Sequence, residues 1–241
     1  MLSIKDLSVT YSNGTHALEK ADASLPESSI TGIIGPNGGG KSSFLKGILG
    51  LVPHKGQALF KGQALDKFAK NTAYVEQKGN LDMDFPISVE QCVLLGTYPK
   101  LGLLKRPGKR EKALAGEALS RVGLSAYKNR QIGELSGGQF QRVLIARTLA
   151  QEAELILLDE PFVGIDVQSE KIIVSLLQEL AKEGATILVV HHDLSKVKNY
   201  FDHLILINKT VIAVGPTEIV YSKENLQKTF DLPAVTLLPS S

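Results

Sequence analysis

The sequence predicts an α/β fold in which helices cover a mainly parallel sheet, with a helical block inserted into the chain. Apolar strands alternate with helical segments at both ends of the sequence, as in parallel sheets. A glycine-rich segment joins an apolar strand to a helix, and residues 78–150 have a mostly helical pattern. With 241 residues, the chain is long enough to bury a core in one or two lobes.

Composition excludes several classes of protein. With 43% hydrophobic and 22% charged residues, the chain is neither mainly disordered nor collagen-like. The 27 basic and 25 acidic residues leave a net charge of +2, which offers no overall attraction to nucleic acid. The single cysteine, Cys92, cannot form an internal disulfide and fits a reducing compartment. Neither a membrane span nor a signal-peptide core is recognisable, so we expect a cytosolic protein.

The individual elements follow from apolar periodicity and turn residues. Ile4, Leu7 and Val9 predict a first strand that ends near Tyr11, because strand residues alternate between faces. The run 29–34 predicts an interior strand, followed by a helix that stops at Gly50. Further strands are predicted at 57–60, 72–76, 154–158, 185–190, 203–208 and 210–214, and a helix at 168–183.

A phosphate-binding loop is predicted between the second strand and the first helix. Its residues match the Walker A pattern and read Gly35-Pro36-Asn37-Gly38-Gly39-Gly40-Lys41-Ser42-Ser43. The glycines let backbone N–H groups surround phosphate oxygens, and the helix start adds partial positive charge. We expect Lys41 to reach the outer phosphates and the Ser42 hydroxyl to ligate magnesium.

Other readings of this loop stay open at this point. A glycine-rich turn that binds nothing is one, and kinase, GTPase and transport ATPase functions all use such a loop. A GTPase reads its base with Asn-Lys-x-Asp, and the segment Asn208-Lys209-Thr210-Val211 lacks the final Asp. The loop therefore predicts nucleotide binding but does not distinguish a kinase from a transport ATPase.

Two carboxylates end an apolar strand later in the chain. The segment Leu155-Ile156-Leu157-Leu158 runs into Asp159 and Glu160. Asp159 is predicted to hold magnesium, and Glu160 to accept a proton from the attacking water, a role typically worth about 10²–10⁴-fold in rate. The alternative is a strand that ends in a solvated acidic turn.

A second glycine-rich helix start is predicted at Leu135-Ser136-Gly137-Gly138-Gln139. Ser136 suits the N-cap position, and the following glycines leave backbone N–H groups accessible. The segment thus indicates either a second anion-binding helix start or simply a capped helix.

The order of these motifs resembles that of the ATP-binding subunits of ABC transporters, over about residues 1–220. The motifs are the Walker A loop, the segment Leu135–Gln139, the strand that ends in Asp159-Glu160, and the later His192. The resemblance implies a P-loop RecA-like core with an N-terminal antiparallel β region and an inserted α-helical subdomain. The core would comprise 1–77 and 151–220, the helical subdomain 78–150 and a C-terminal extension 221–241.

The resemblance also implies ATP and magnesium as cofactors and a head-to-tail dimer. In such a dimer the phosphate-binding loop of one subunit faces the signature residues of the other across ATP. The signature residues in this chain are Ser136, Gly137, Gly138 and Gln139.

Further site residues follow from the resemblance. Tyr11 corresponds to the aromatic that stacks on adenine, although it could instead pack on the core. Gln77 corresponds to the glutamine near magnesium and the attacking water, with Glu76 where the family often has Pro. Asp166 would lie at the dimer interface, cap the next helix, or do both. His192 corresponds to the histidine that contacts the γ-phosphate.

Two further positions depart from the family pattern. His191 stands where a small residue is usual, and the pair His191-His192 could suggest a metal site. Adjacent residues at a strand end point in different directions, which disfavours that reading. Ser43 replaces the usual Thr of the phosphate-binding loop, a conservative change because Ser42 is the expected magnesium ligand.

The region after Gln77 indicates the kind of transporter. Two segments resemble those of the bacterial manganese, zinc and iron importer ATPases, above all those of streptococcal-type manganese importers. They are Phe85-Pro86-Ile87-Ser88-Val89, and Leu101-Gly102-Leu103 before the basic pair Lys105-Arg106. The resemblance implies transmembrane permease subunits, an extracellular metal-binding lipoprotein, no nucleic acid, and a place on the cytoplasmic face of the membrane. Zinc or iron import, and a soluble ATPase of the iron–sulfur assembly type, stay open.

Overall fold

The chain folds into two units. In the computed structural model, residues 1–76, 85–102 and 105–231 are described. The first unit combines Met1–Phe68 with the segment from Thr186 onward, and the second is Ala69–Ala185. Within the described ranges, every helix is too short or too polar to cross a bilayer.

Strands and helices alternate along much of the described chain. The strands are β1 (Leu2–Thr10), β2 (His16–Leu25), β3 (Ile30–Ile34), β4 (His54–Phe60), β5 (Gln63–Ala64), β6 (Thr72–Val75), β7 (Leu155–Asp159), β8 (Thr186–Val190), β9 (His203–Asn208) and β10 (Thr210–Pro216). The helices are α1 (Lys41–Ile48), α2 (Val89–Leu94), α3 (Tyr98–Leu101), α4 (Lys109–Arg121), α5 (Gly137–Ala150), α6 (Val167–Lys182), α7 (Val197–Tyr200), α8 (Thr217–Val220) and α9 (Lys223–Phe230).

The first unit contains two strand layers. An antiparallel sheet has the order β2-β1-β4-β5, and strands β10, β9, β3 and β8 lie side by side in that order. β3 is parallel to both β8 and β9 and is buried along its whole length. Helix α1 packs on β1, and its side chains Phe44 and Leu45 are fully buried. β3 and α1 therefore hold both ends of the predicted phosphate-binding loop.

Strand β2 is absent from the sequence-based expectation. It pairs antiparallel with β1 and buries Leu18, Ala21, Ala23 and Leu25. Its buried positions include two alanines among exposed charged residues, so its local β-propensity is weak. Pairing with β1, rather than local preference, makes this segment a strand.

Strand β4 begins at His54, three residues before the predicted start at 57. Its first four residues are exposed, so they carry no apolar signal. The first two of them pair with β1 beyond a register shift, with His54 opposite Val9 and Lys55 opposite Ser8. The pairing partner therefore sets where this strand begins.

The second unit combines two parallel strands with helices. β6 pairs parallel with β7, and α5 packs against α2, α4 and α6. On α6, Ile173, Leu176, Leu177 and Leu180 are buried as the helical periodicity predicts, whereas Ile172 is half-buried. Gly184 follows the end of α6 with φ 108°, which confirms the predicted glycine stop.

Candidate active site

The predicted phosphate-binding loop connects β3 to α1 in the first unit. Gly40 is the N-cap of α1, with φ 92°, and has no side chain with which to cap the helix. The first helical hydrogen bond runs from the Phe44 N–H to the Gly40 carbonyl, at 2.8 Å. Asn37 and Gly38 are exposed at the loop tip. A helix start of this kind presents backbone N–H groups to an anion.

Backbone groups of β9 and of the β9–β10 turn contact the loop. A Cβ atom on Gly35 would lie 1.9 Å from the Ile207 carbonyl oxygen, so only glycine fits there. The Lys209 N–H donates to the Gly39 carbonyl at 2.8 Å. This support was not predicted from the sequence, because it uses main-chain atoms, which leave no residue-type signal.

Lys41 is held against its own loop. Its ammonium donates to the carbonyls of Gly35 and Pro36, each at 2.9 Å, and the residue is only 6% exposed. The positive charge therefore lies beside the loop backbone, where a phosphate bound by the loop would meet it. The contact of Lys41 with the outer phosphates stays a prediction.

Tyr11 reaches the same helix start from a distant point in the chain. Its hydroxyl lies 3.0 Å from the Ser43 hydroxyl, although the two residues are 32 positions apart. Ser43 is buried, while Tyr11 and Ser42 are half-buried. The structure thus brings the predicted adenine-stacking residue to the phosphate-binding loop.

The two histidines after β8 have different environments. His191 is buried, its N–H donates to the Ile33 carbonyl at 3.1 Å, and its ring lies 5.6 Å from that of Phe201. His192 is exposed. The exposed ring of His192 is therefore the one available to a ligand from solvent.

The predicted acidic pair lies at the end of β7 in the second unit. Asp159 is the last residue of the strand and is 3% exposed. Glu160 follows, half-buried, with φ 50°. A positive φ is uncommon for residues other than glycine, and Glu160 shares it with Glu152, whose φ is 52°.

The second predicted anion-binding helix start is also the start of α5. The Ser136 hydroxyl accepts from the Gln139 N–H at 3.2 Å, and the Gln139 side-chain oxygen accepts from the Ser136 N–H at 2.9 Å. This reciprocal capping box confirms Ser136 as the N-cap. The Ser136 hydroxyl still has a hydrogen to donate, because it accepts in this bond.

Gly138 and Asp166 meet where α5 and α6 begin. A Cβ atom on Gly138 would lie 2.5 Å from the Ser169 Oγ and 2.7 Å from an Asp166 carboxylate oxygen. Asp166 caps α6 by accepting from the Ser169 N–H at 2.8 Å and from the Ser169 hydroxyl at 2.7 Å. These bonds lower the pKa of Asp166. The N-cap interpretation of Asp166 is correct, and Ser169 is a contact that sequence reasoning missed.

Gln77 lies outside the described residues, as does Leu103 of the segment used for the transporter resemblance. The prediction for Gln77 therefore stays a prediction. Phe85, from the same region, is described and 59% exposed.

An α/β fold with a glycine-rich loop at a helix start and an acidic strand end defines a nucleotide-binding protein. The family model for ABC transporters matches residues 18–163. The chain therefore belongs to the ABC transporter family and is an ATPase, as the motif order predicts.

Relatives and solved structures extend this match to nearly the whole chain. The Manganese transport system ATP-binding protein MntB of Listeria innocua is 51% identical over 94% of both chains. The Zinc transport system ATP-binding protein TroB of Treponema pallidum is 46% identical over 95% of this chain and 86% of its own. A solved inward-facing, putative metal-chelate type ABC transporter has a TM-score of 0.83 at 30% identity, covering 96% of this chain and 89% of that one.

Proposed function

We propose that this chain is the ATP-hydrolysing subunit of an importer that moves a divalent transition metal through a separate membrane permease. Manganese is the cargo that we propose. The observation that carries the proposal is the 51% identity, over 94% of both chains, to a manganese transport ATP-binding protein. The 46% identical zinc transport protein keeps zinc as the alternative cargo. An extracellular metal-binding lipoprotein would deliver the ion, and this chain would act on the cytoplasmic face.

The residues of the first unit bind the triphosphate in this proposal. The loop Gly35–Ser43 surrounds the phosphates with backbone N–H groups, and Lys41 adds the positive charge already held beside the loop. Tyr11 stacks on adenine, and His192 donates toward the γ-phosphate. The exposure of His192 and the proximity of Tyr11 to Ser43 support these roles.

Magnesium would be held by Ser42, Gln77 and Asp159. A hydroxyl and a buried carboxylate are hard oxygen donors of the kind that Mg²⁺ prefers, so the donor set fits the ion. The metal would neutralise negative charge on the phosphates. Asp159 itself would contribute buried carboxyl oxygens at the end of β7.

Glu160 is the general base of the proposed reaction. Its carboxylate would accept the proton of the water that attacks the γ-phosphate, while Gln77 orients that water. The position of Glu160 supports this role, because its half-buried side chain directly follows Asp159 at the end of β7.

Hydrolysis requires two copies of the chain in this proposal. Ser136, Gly137, Gly138 and Gln139 of one copy contact the ATP of the other, and Asp166 lies at the interface between the copies. The capping box supports this arrangement, since it fixes the Ser136 hydroxyl at a helix start and leaves its hydrogen available. The residue ranges 1–77, 78–150, 151–220 and 221–241 remain our proposed functional division.

Metal accumulation in cells tests the cargo. Cells that lack the gene should lose manganese uptake, with zinc and iron unchanged. Wild-type protein should restore uptake, and the Glu160→Gln variant should not. Selective loss of zinc or iron would reassign the cargo. Unchanged uptake of all three metals, with only soluble partners in a pull-down, would instead favour an iron–sulfur assembly role.

A further inference from the structure

The hydroxyls of Tyr11 and Ser43 form a direct link between the turn after β1 and the first turn of α1. The oxygen atoms are 3.0 Å apart, a normal distance for an O–H···O hydrogen bond. Ser43 is 8% exposed, so water competes poorly for this bond. Both residues belong to the first unit.

The backbone of Tyr11 is fixed independently of this bond. Its N–H donates to the Thr15 carbonyl at 3.0 Å, and its carbonyl accepts from the Gly14 N–H at 2.9 Å. The tight turn therefore limits the ring to rotation about its own side-chain bonds. The bond to Ser43 removes that remaining freedom, because it fixes the far end of the ring.

The chemistry of the two hydroxyls allows the link to persist when phosphate is bound. A hydroxyl offers one hydrogen and two acceptor lone pairs. Either hydroxyl can be the donor in this bond. When Tyr11 donates, Ser43 keeps its own hydrogen for a phosphate oxygen at the helix start.

We propose that the Tyr11 hydroxyl is a positioning group that couples the adenine subsite to the phosphate subsite through Ser43. This inference rests on the proposed function, in which the Tyr11 ring stacks on adenine. The bond sets the distance between the ring and the N-terminus of α1, so that base and phosphates are bound together without reorganisation. Phenylalanine would retain the ring and lose this coupling.

A double-mutant cycle on the full chain tests the coupling. The variants are Tyr11→Phe, Ser43→Ala and the combination, and calorimetry measures affinity for Mg-ATP and for inorganic tripolyphosphate. Tyr11→Phe should weaken ATP binding about threefold to tenfold, the effect of one lost hydrogen bond. It should leave tripolyphosphate binding unchanged, because that ligand has no base. In the Ser43→Ala background the same change should have no further effect.

Ser43→Thr is the matched control, because it keeps a hydroxyl at the same position. The Tyr11→Phe effect on ATP should persist in that background. A bond that only stabilised the fold would change the melting temperature and both ligand affinities together, whereas positioning changes the ratio of the two affinities.

Three results would overturn the inference: unchanged ATP affinity in Tyr11→Phe, equal losses for both ligands, or full additivity with Ser43→Ala. Each of these leaves ATP binding by the wild-type protein intact. Failure of the wild-type protein to bind ATP would instead refute the proposed function, so the two failures are distinguishable.

Discussion

The two glycine-rich helix starts of this protein are built differently. α1 begins after Gly40, a left-handed residue without a side chain, so its first turn has no capping side chain. α5 begins after Ser136, which forms a reciprocal capping box with Gln139. An uncapped helix start leaves N–H groups for a ligand, whereas a capped one is stable before any ligand arrives. In the proposed function, this difference assigns the main phosphate contacts to α1, while the Ser136 hydroxyl at the start of α5 is held in place before ATP binds.

The largest expected effect is on the rate of ATP hydrolysis and concerns Glu160, which lies at neither helix start. Glu160→Gln should slow ATP hydrolysis by about 10²–10⁴-fold, because the amide cannot accept the proton. ATP binding should persist, and the ATP-bound dimer should accumulate. Steady-state phosphate release and size-exclusion chromatography measure the two outcomes. Glu152→Gln is the matched control, since Glu152 has a similar φ of 52° in the same unit. Wild-type hydrolysis in Glu160→Gln would refute Glu160 as the base.

The next effect contrasts the two helix starts directly. Lys41→Ala should weaken ATP binding about tenfold to a hundredfold, the typical loss of a charge-assisted hydrogen bond. Ser136→Ala should leave ATP binding to the isolated chain unchanged and reduce hydrolysis, because the contact that we propose for Ser136 is to the ATP of the partner copy. Calorimetry and ATPase assays on both variants measure this difference. Equal loss of ATP binding in the two variants would show that both helix starts bind ATP within the same copy of the chain.

A smaller effect concerns the packing beneath α5. Gly138→Ala should destabilise the protein by about 1–3 kcal/mol, since its Cβ would lie 2.5 Å from the Ser169 Oγ. Gly116→Ala on α4 is the control, because a Cβ there meets nothing within 4 Å. That change should be neutral or stabilising by about 0.5–1 kcal/mol. Urea unfolding measures both, and equal effects would contradict the close contact.

The smallest effect is the pH dependence of the α6 cap. Hydrogen bonds from Ser169 lower the pKa of Asp166 in the folded protein. Stability from this cap is therefore complete above the unfolded pKa, about 3.9, and is lost as pH falls through the lower folded value. Asp166→Ser keeps a capping oxygen without a titrating group. Thermal melts between neutral and acidic pH should show a flatter pH dependence for the variant, and parallel curves would exclude this contribution.

Much of the fold follows from sequence because its signals are local. The strand–loop–helix around Lys41, the buried strand before Asp159 and the cap at Ser136 depend on residues adjacent in sequence. Strand β2 was missed because its neighbour β1 determines it. The contacts of Ser169 were missed because a serine near a helix start has no distinctive pattern.

The sequence by itself determined the glycine-rich loop before α1, the acidic end of β7, the capped start of α5 and the membership of the ABC transporter family. Each depends on residue types at short, fixed spacings. Only the tertiary structure decided that Tyr11 meets Ser43, that Gly138 packs on the Asp166 cap, and that Ile207 and Lys209 support the loop. These contacts join residues far apart in sequence, often through main-chain atoms, so they exist only once the chain has folded.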